Sequence, residues 1–144
     1  MAKLTQEMIE NAFTPYLAPD ETIEKTAYGV KQPHILLIIL LMLAAILPGI
    51  IAIAVMTKHF HVGLTNRRLI VLQTKGVNNL TIKEVIEFPL SELAAAEVKT
   101  TLGGIFTTIK IDLAGRQFAA KFHRAYSETN RADSQSIAEA VSRA

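Results

Sequence analysis

The feature that most constrains the fold is an uncharged apolar run that extends from Ile35 to Met56. Its residues are almost all aliphatic, and none carries a charge or a side-chain hydrogen-bonding group. As one helix, the run would be roughly 33 Å long, about the thickness of a bilayer hydrocarbon core. A chain of 144 residues has little other mass with which to bury such a helix on every side. The run therefore predicts a membrane segment at 35–56, with a buried core helix as the alternative.

The remaining composition narrows the functional classes. The chain has no cysteine, which excludes disulfides and thiol catalysis. Its net charge of +2 and its lack of tryptophan give no basic stripe with interleaved aromatics, so no nucleic-acid partner is predicted. A mild preference for anionic lipid headgroups fits this charge. The apolar run begins 34 residues into the chain and has no small-residue cleavage pattern after it, which argues against a signal peptide.

The N-terminal part, residues 1–18, is predicted to contain a short amphipathic helix. Thr5 can cap this helix, and Pro15 ends it. Its apolar residues, at helical spacing, are Met8, Ile9, Ala12 and Phe13. Residues 19–144 then form the main domain, interrupted by the membrane segment.

Outside the apolar run, the main domain has the alternation and turn residues of short β-strands. The predicted strands cover residues 21–31, 59–65, 68–74, 81–88, 93–100, 105–113 and 117–122. A final amphipathic helix near 133–143 places Ile137, Ala138 and Val141 on one face. Two nearly orthogonal antiparallel sheets with this helix at one open end would bury the apolar faces.

The strand-turn-strand from Gly63 to Leu72, together with the strand count, resembles the bacterial pleckstrin-homology-like (PH-like) domain families of the membrane-associated type. The opening Pro19-Asp20-Glu21, the stretch from Phe88 to Leu93 and the turn Gly103-Gly104 are similar to those families as well. The resemblance implies a mainly β fold, a PH-like seven-stranded antiparallel barrel or sandwich closed by a C-terminal helix. It implies a membrane setting but no reaction, since such domains serve as adaptors and lipid-binding modules.

Four basic residues are the candidate ligand site. Arg67 and Arg68 lie at the tip of a predicted hairpin, and the planar arginine fork suits phosphate contacts. Lys121 and Arg124 form a second basic group before the final helix. We expect these residues to contact an anion or lipid headgroup; the plain alternative is that they are solvated loop charges.

The topology of the apolar run is open at this point. Its length favours a single transmembrane helix, which would separate residues 1–34 from 57–144. Completion of the seven-stranded fold instead requires both flanks on one side of the membrane. Pro48 and Gly49 lie within the run and can form a turn or kink, with helices of about 13 and 8 residues on either side. A shallow hairpin that enters one leaflet, with both flanks in the cytoplasm, is the favoured interpretation.

No catalytic set or metal site is predicted. His59 and His61 share one face of a strand, but a zinc site needs three or four ligands, and none is suitably spaced. No serine lies in a nucleophile elbow. The prediction is a non-enzymatic membrane-embedded PH-like binding or adaptor module at the cytoplasmic face of the cell membrane, without a cofactor. Its predicted partners are the bilayer together with anionic headgroups or a membrane protein. The alternative is a structural subunit or assembly factor of a larger membrane complex.

Overall fold

The chain forms seven strands and four α-helices in the residues that the structure describes. The structure is a computed structural model that describes residues 5–31, 35–44, 46–76, 79–102, 106–123, 126 and 129–143. The helices are α1 (Gln6–Phe13), α2 (Ile35–Ala44), α3 (Ile46–Met56) and α4 (Asn130–Arg143). The strands are β1 (Ile23–Lys31), β2 (Lys58–Thr65), β3 (Arg68–Gly76), β4 (Asn79–Pro89), β5 (Glu97–Leu102), β6 (Phe106–Leu113) and β7 (Arg116–His123).

All seven strands belong to one antiparallel sheet with the order β4-β3-β2-β1-β7-β6-β5. This strand set and the helix α4, which packs against β1, β5, β6 and β7, confirm the predicted fold class. The two predicted sheets are the halves β4-β3-β2-β1 and β7-β6-β5, which are joined where β1 pairs with β7 at Val30 and Lys121. The sheet is not closed, since β4 and β5 are its edges, so the sandwich form of the PH-like architecture applies.

The main core lies between the curved sheet and α4. Strand β6 buries alternate residues, as the period of a strand requires, and these include Ile109, Ile111 and Leu113. Helix α4 buries Ile137, Ala138 and Val141, the three residues that the helical spacing placed on one face. The other members of this core include Val62, Leu69, Val71, Phe88, Phe118 and Phe122.

Helix α1 covers the outer face of the sheet and forms a second, smaller core. The Thr5 hydroxyl accepts a hydrogen bond from the Met8 N–H at 3.1 Å, so the predicted N-cap is confirmed. Phe13 is fully buried and packs on Gly63 of β2. A Cβ at Gly63 would lie 2.8 Å from the Phe13 ring, so only glycine leaves room for this contact. Ile70 and Leu72 of β3 complete the cluster with Ile9.

Two predicted boundaries are wrong. Residues 90–95 form a 3₁₀ helix after Pro89, and β5 begins only at Glu97, whereas a strand was predicted from residue 93. Helix α4 begins at Asn130 instead of near residue 133, and the Asn130 side chain accepts the Tyr28 N–H at 2.8 Å and donates to the Tyr28 carbonyl at 3.1 Å. The predicted turns at 32–34 and 103–104 lie outside the described residues.

The apolar run is divided into two helices that form a hairpin. Helix α2 ends at Ala44 and α3 begins at Ile46, so the described helices have 10 and 11 residues. The sequence placed the turn or kink at Pro48 and Gly49, but both residues lie in the first turn of α3. Proline is tolerated there, because the first N–H groups of a helix have no intrahelical partner. Among the described residues, no single helix is both long and apolar enough to cross a bilayer, so the predicted transmembrane helix is not found.

Candidate functional site

Arg68, the first residue of β3, is the centre of an ion-pair cluster. Its Nε and Nη2 donate to the two carboxylate oxygens of Glu21 at 2.9 and 2.8 Å, and its Nη1 lies 2.8 Å from Glu87 Oε1. It also donates to the Tyr16 carbonyl. Glu21 is buried and accepts the Thr65 hydroxyl at 2.6 Å; the hydrogen bond from Arg68 is the main reason that the pKa of Glu21 falls to about 2. Arg68 therefore fastens the segment before β1 to the β2–β3 turn.

Arg67 also has an internal partner. Its guanidinium pairs with the carboxylate of Asp20 at the surface, where both side chains remain more than half exposed. The two predicted arginines are thus adjacent, as expected, but each carries an acidic partner. An anion that binds here would have to compete with these carboxylates. This part of the predicted headgroup site is better explained as structure.

Lys121 lies at a different place on the sheet from the arginines. It is opposite Val30, near the end of β1, whereas Thr65, beside the arginines, is opposite Ile23 at the start of β1. Seven strand residues correspond to roughly 23 Å. The ammonium of Lys121 lies 5.7 Å from the centre of the Phe106 ring. Arg124, the fourth predicted residue, lies outside the described residues.

The most unusual surface is the α2–α3 hairpin. Thirteen large apolar side chains are exposed in the described part of the chain, and ten of them lie on this hairpin. Leu43 and Val55 are 80% and 79% exposed. The ten are Leu36, Ile39, Leu40, Leu43, Ile46, Leu47, Ile50, Ile51, Val55 and Met56. An apolar patch of this extent marks an interaction site.

The two helices of the hairpin approach each other closely at Gly49. A Cβ placed on Gly49 would lie 2.6 Å from the carbonyl oxygen of Leu41, eight residues earlier in the chain. In one continuous helix these residues would be about 12 Å apart along the axis. The contact therefore establishes that the chain folds back on itself, and a small residue permits close helix packing, as it does in membranes. At the base, Thr57 donates its hydroxyl to the Ile53 carbonyl at 2.7 Å.

Exposed lysines surround the base of the hairpin, and sequence reasoning assigned them no ligand. Lys31, the last residue of β1, is directly opposite Lys58, the first residue of β2. Beside Lys31 lies an open groove of about 260 Å³, in which Lys99 of β5 is directly opposite Lys110 of β6. Glu97, Asp112 and Gln117 also line this groove. Lys31 and Lys58 are 27 positions apart in the sequence, on either side of the apolar run, and the strand register is what places them together.

The two histidines of β2 belong to an aromatic cluster under α1. His61 is 1% exposed, and its ring is tilted against that of Tyr28 with the ring centres 5.2 Å apart. A hydrogen bond of 2.5 Å joins the Tyr28 hydroxyl and His59 Nδ1. Tyr126 stacks on Tyr28, with ring centres 4.4 Å apart. Neither ring nitrogen of His61 has a hydrogen-bond partner in the described part of the chain. Within that part, no three potential metal-ligating side chains come together.

Burial determines how this cluster titrates. Loss of hydration lowers the pKa of His61 to about 4, with a further contribution from the nearby His59. Burial also lowers the pKa of His59 and raises those of Tyr28 and Tyr126. At neutral pH both histidines are therefore uncharged.

The solved structures that are similar to this chain include two domains of known fold. One is the hSac2 domain from the human phosphoinositide phosphatase Sac2, with 15% identity, a TM-score of 0.48 and coverage of 97% of this chain and 82% of that one. The other is a pleckstrin homology domain from Shewanella amazonensis, with 16% identity, a TM-score of 0.41 and coverage of 94% and 93%. No family model matches the chain. No curated protein matches it significantly. Since both TM-scores are below 0.5, the fold class rests on the strand order and α4 alone.

Proposed function

We propose that this protein is a non-enzymatic PH-like module that is held on a membrane by its α2–α3 hairpin. The observation that carries the proposal is the concentration of ten exposed large apolar side chains on one hairpin. Burial of such side chains in hydrocarbon is favourable by roughly 1.5–3 kcal/mol each. The large apolar side chains of the sheet and of α4, in contrast, are mostly buried in two cores.

The geometry of the hairpin supports entry into one leaflet. Helices of 10 and 11 residues are about 15–17 Å long, about half of a hydrocarbon core. The pairing of Lys31 with Lys58 brings the two ends of the hairpin to the same place on the sheet. Both flanks then lie on one side of the bilayer, and we propose that this is the cytoplasmic side.

Vesicle binding by charged hairpin variants tests the proposal. The triple variant Leu40→Lys, Leu43→Lys and Leu47→Lys places three charges on exposed hairpin positions. The matched control puts lysine at three exposed positions of the 3₁₀ helix, Ser91, Ala94 and Ala95. We expect the natural chain and the control to float with neutral phosphatidylcholine vesicles and the hairpin variant to remain behind. Equal flotation of both variants, or no flotation of the natural chain, would contradict the proposal.

The alternative function is a subunit or assembly factor of a larger membrane complex. It is supported by small exposed residues on the hairpin, Ala44 and Ala54, which allow close approach of another helix. Mass measurement after gentle detergent extraction separates the two functions. A stable co-purifying protein that is lost with the Leu40, Leu43 and Leu47 variant favours the subunit, whereas a protomer with bound lipid favours the module.

A further inference from the structure

We infer that the groove beside the hairpin base binds the phosphate group of anionic lipid headgroups, through Lys31, Lys99 and Lys110. This inference rests on the proposed function, because it is the inserted hairpin that brings the groove to the membrane surface. It transfers the headgroup site from the predicted arginines, which are paired internally, to lysines at the other end of β1.

The first argument is the arrangement of charge. Lys99 and Lys110 are directly opposite on neighbouring strands, where side chains are about 5 Å apart at Cβ and like charges repel. Lys31 lines the same groove and is itself opposite a lysine, Lys58. Two like-charged cross-strand pairs at one place are unfavourable in the free protein. An anion that bridges the ammonium groups would remove this repulsion.

The second argument is that the acidic residues of the groove do not neutralise the lysines. Glu97 lies 3.9 Å from Lys99, but both side chains are more than 70% exposed, and such a pair contributes little. Asp112 accepts a hydrogen bond from Gln117 at 3.2 Å. Within the described part of the chain, neither Lys31 nor Lys110 is in an ion pair. Both ammonium groups are therefore available to a phosphate.

The third argument is position. Lys31 ends β1 only four residues before α2 begins at Ile35, so the groove is next to the point where the hairpin leaves the sheet. If the hairpin enters a leaflet over its full length, its base lies at the level of the headgroups. Long lysine side chains can extend their ammonium groups to that level while their stems cover apolar surface. Each basic residue near an anionic surface contributes roughly 1 kcal/mol, or about a fivefold change in affinity.

The test compares vesicles of phosphatidylcholine alone with vesicles in which one third of the lipid is phosphatidylglycerol. The variant Lys99→Gln with Lys110→Gln removes two charges from the groove, and Lys83→Gln with Arg143→Gln removes two exposed charges elsewhere. We expect the groove variant to lose roughly 25-fold in affinity for the anionic vesicles. It should bind the neutral vesicles as the natural chain does, and the control should resemble the natural chain on both.

The outcomes separate this inference from the proposed function. If the natural chain binds neither kind of vesicle, hairpin insertion fails. If all forms bind neutral vesicles equally and the groove variant keeps its full preference for anionic ones, only the groove assignment fails. NMR titration with inorganic phosphate distinguishes a soluble ligand, because shifts at Lys99 and Lys110 together with an unchanged vesicle preference would also overturn the assignment. The substituted positions are exposed, so we expect an unchanged circular dichroism spectrum.

Discussion

The buried histidine of β2 leads to a quantitative prediction about stability. His61 is 1% exposed, its two ring nitrogens have no hydrogen-bond partner in the described part of the chain, and its pKa is lowered to about 4. The cavity beside it holds only about 10 Å³, room for no more than one water molecule. The folded protein therefore disfavours the charged imidazole, which the unfolded chain accepts freely below pH 6.5.

The direction of the pH effect follows from this difference. A histidine whose pKa is lowered on folding does not reduce the free energy of unfolding at a pH above its unfolded pKa. The protein therefore has its full stability above pH 6.5. As the pH falls from 6.5 to about 4, the unfolded state takes up a proton that the folded state does not, and stability is lost. A lowering from 6.5 to about 4 corresponds to about 3 kcal/mol, at roughly 1.4 kcal/mol per pH unit.

Two substitutions of His61 separate titration from desolvation. His61→Leu has a similar size and removes both unpaired nitrogens, so we expect it to raise the free energy of unfolding at pH 7 by about 1–3 kcal/mol. His61→Gln keeps a buried polar group that does not titrate. It should therefore raise the free energy of unfolding little at pH 7, but it should remove the same pH dependence that the leucine variant removes.

Urea unfolding in a mild detergent, followed by circular dichroism at several pH values, measures these effects. The stability of either variant relative to the natural chain should increase by about 3 kcal/mol between pH 7.5 and pH 4. The ionisation of Glu21 contributes only at lower pH, because its stabilising effect is present above 4.5 and is lost as the pH falls towards 2. If the difference in free energy of unfolding between the natural chain and the variants changes by less than about 1 kcal/mol over this pH range, His61 is not held neutral by burial.

Three further predictions follow from the fold. Arg68→Ala would leave the buried carboxylate of Glu21 without its ion-pair partner and lower the free energy of unfolding by about 3–5 kcal/mol. Arg67→Ala, at the exposed pair, should lower it by less than about 1 kcal/mol in the same urea assay. Equal effects would contradict the structural role of Arg68. Gly49→Val forces α2 and α3 apart at Leu41 and should destabilise the hairpin by about 1–3 kcal/mol, measured as roughly 5- to 150-fold faster hydrogen exchange in α3. Ala54→Val, at an exposed position, should change the exchange rate little. Unchanged exchange in the glycine variant would rule out the close contact. Single cysteines at Glu24 and Thr101 should both react with an impermeant maleimide from the same side of a reconstituted vesicle, and opposite protection of the two would require a single span.

Local signals predicted most of the secondary structure. The Thr5 cap, the alternation along β6 and the apolar face of α4 depend on residues a few positions apart, so the sequence pattern contains them directly. The predicted start of β5 was wrong because the local pattern there fits both a helix and a strand. The stretch that begins at Leu90 has no β-branched residue and favours a short helix, but its apolar leucines resemble a strand.

Contacts between distant residues could not be predicted in this way. Arg68 and Glu21 are 47 positions apart, so a strand turn with two arginines looks like an open anion site until the carboxylate is placed beside it. The same is true of Lys99 and Lys110, whose opposition depends on the register of β5 on β6. The PH-like resemblance, which itself rested on the predicted strand count, contained no information about which charges are neutralised.

The register between β1 and β2 has a consequence for how this domain can be divided. Because Lys31 and Lys58 are already opposite in a regular antiparallel ladder, a two-residue Asn-Gly turn has the span needed to join them. Both apolar cores are built without any described residue of the hairpin, so excision of residues 32–57 should leave the fold intact. The exposed apolar hairpin is thus an elongated loop that adds nothing to either described core, and a hairpin of another length or polarity would suit the same scaffold to a different surface.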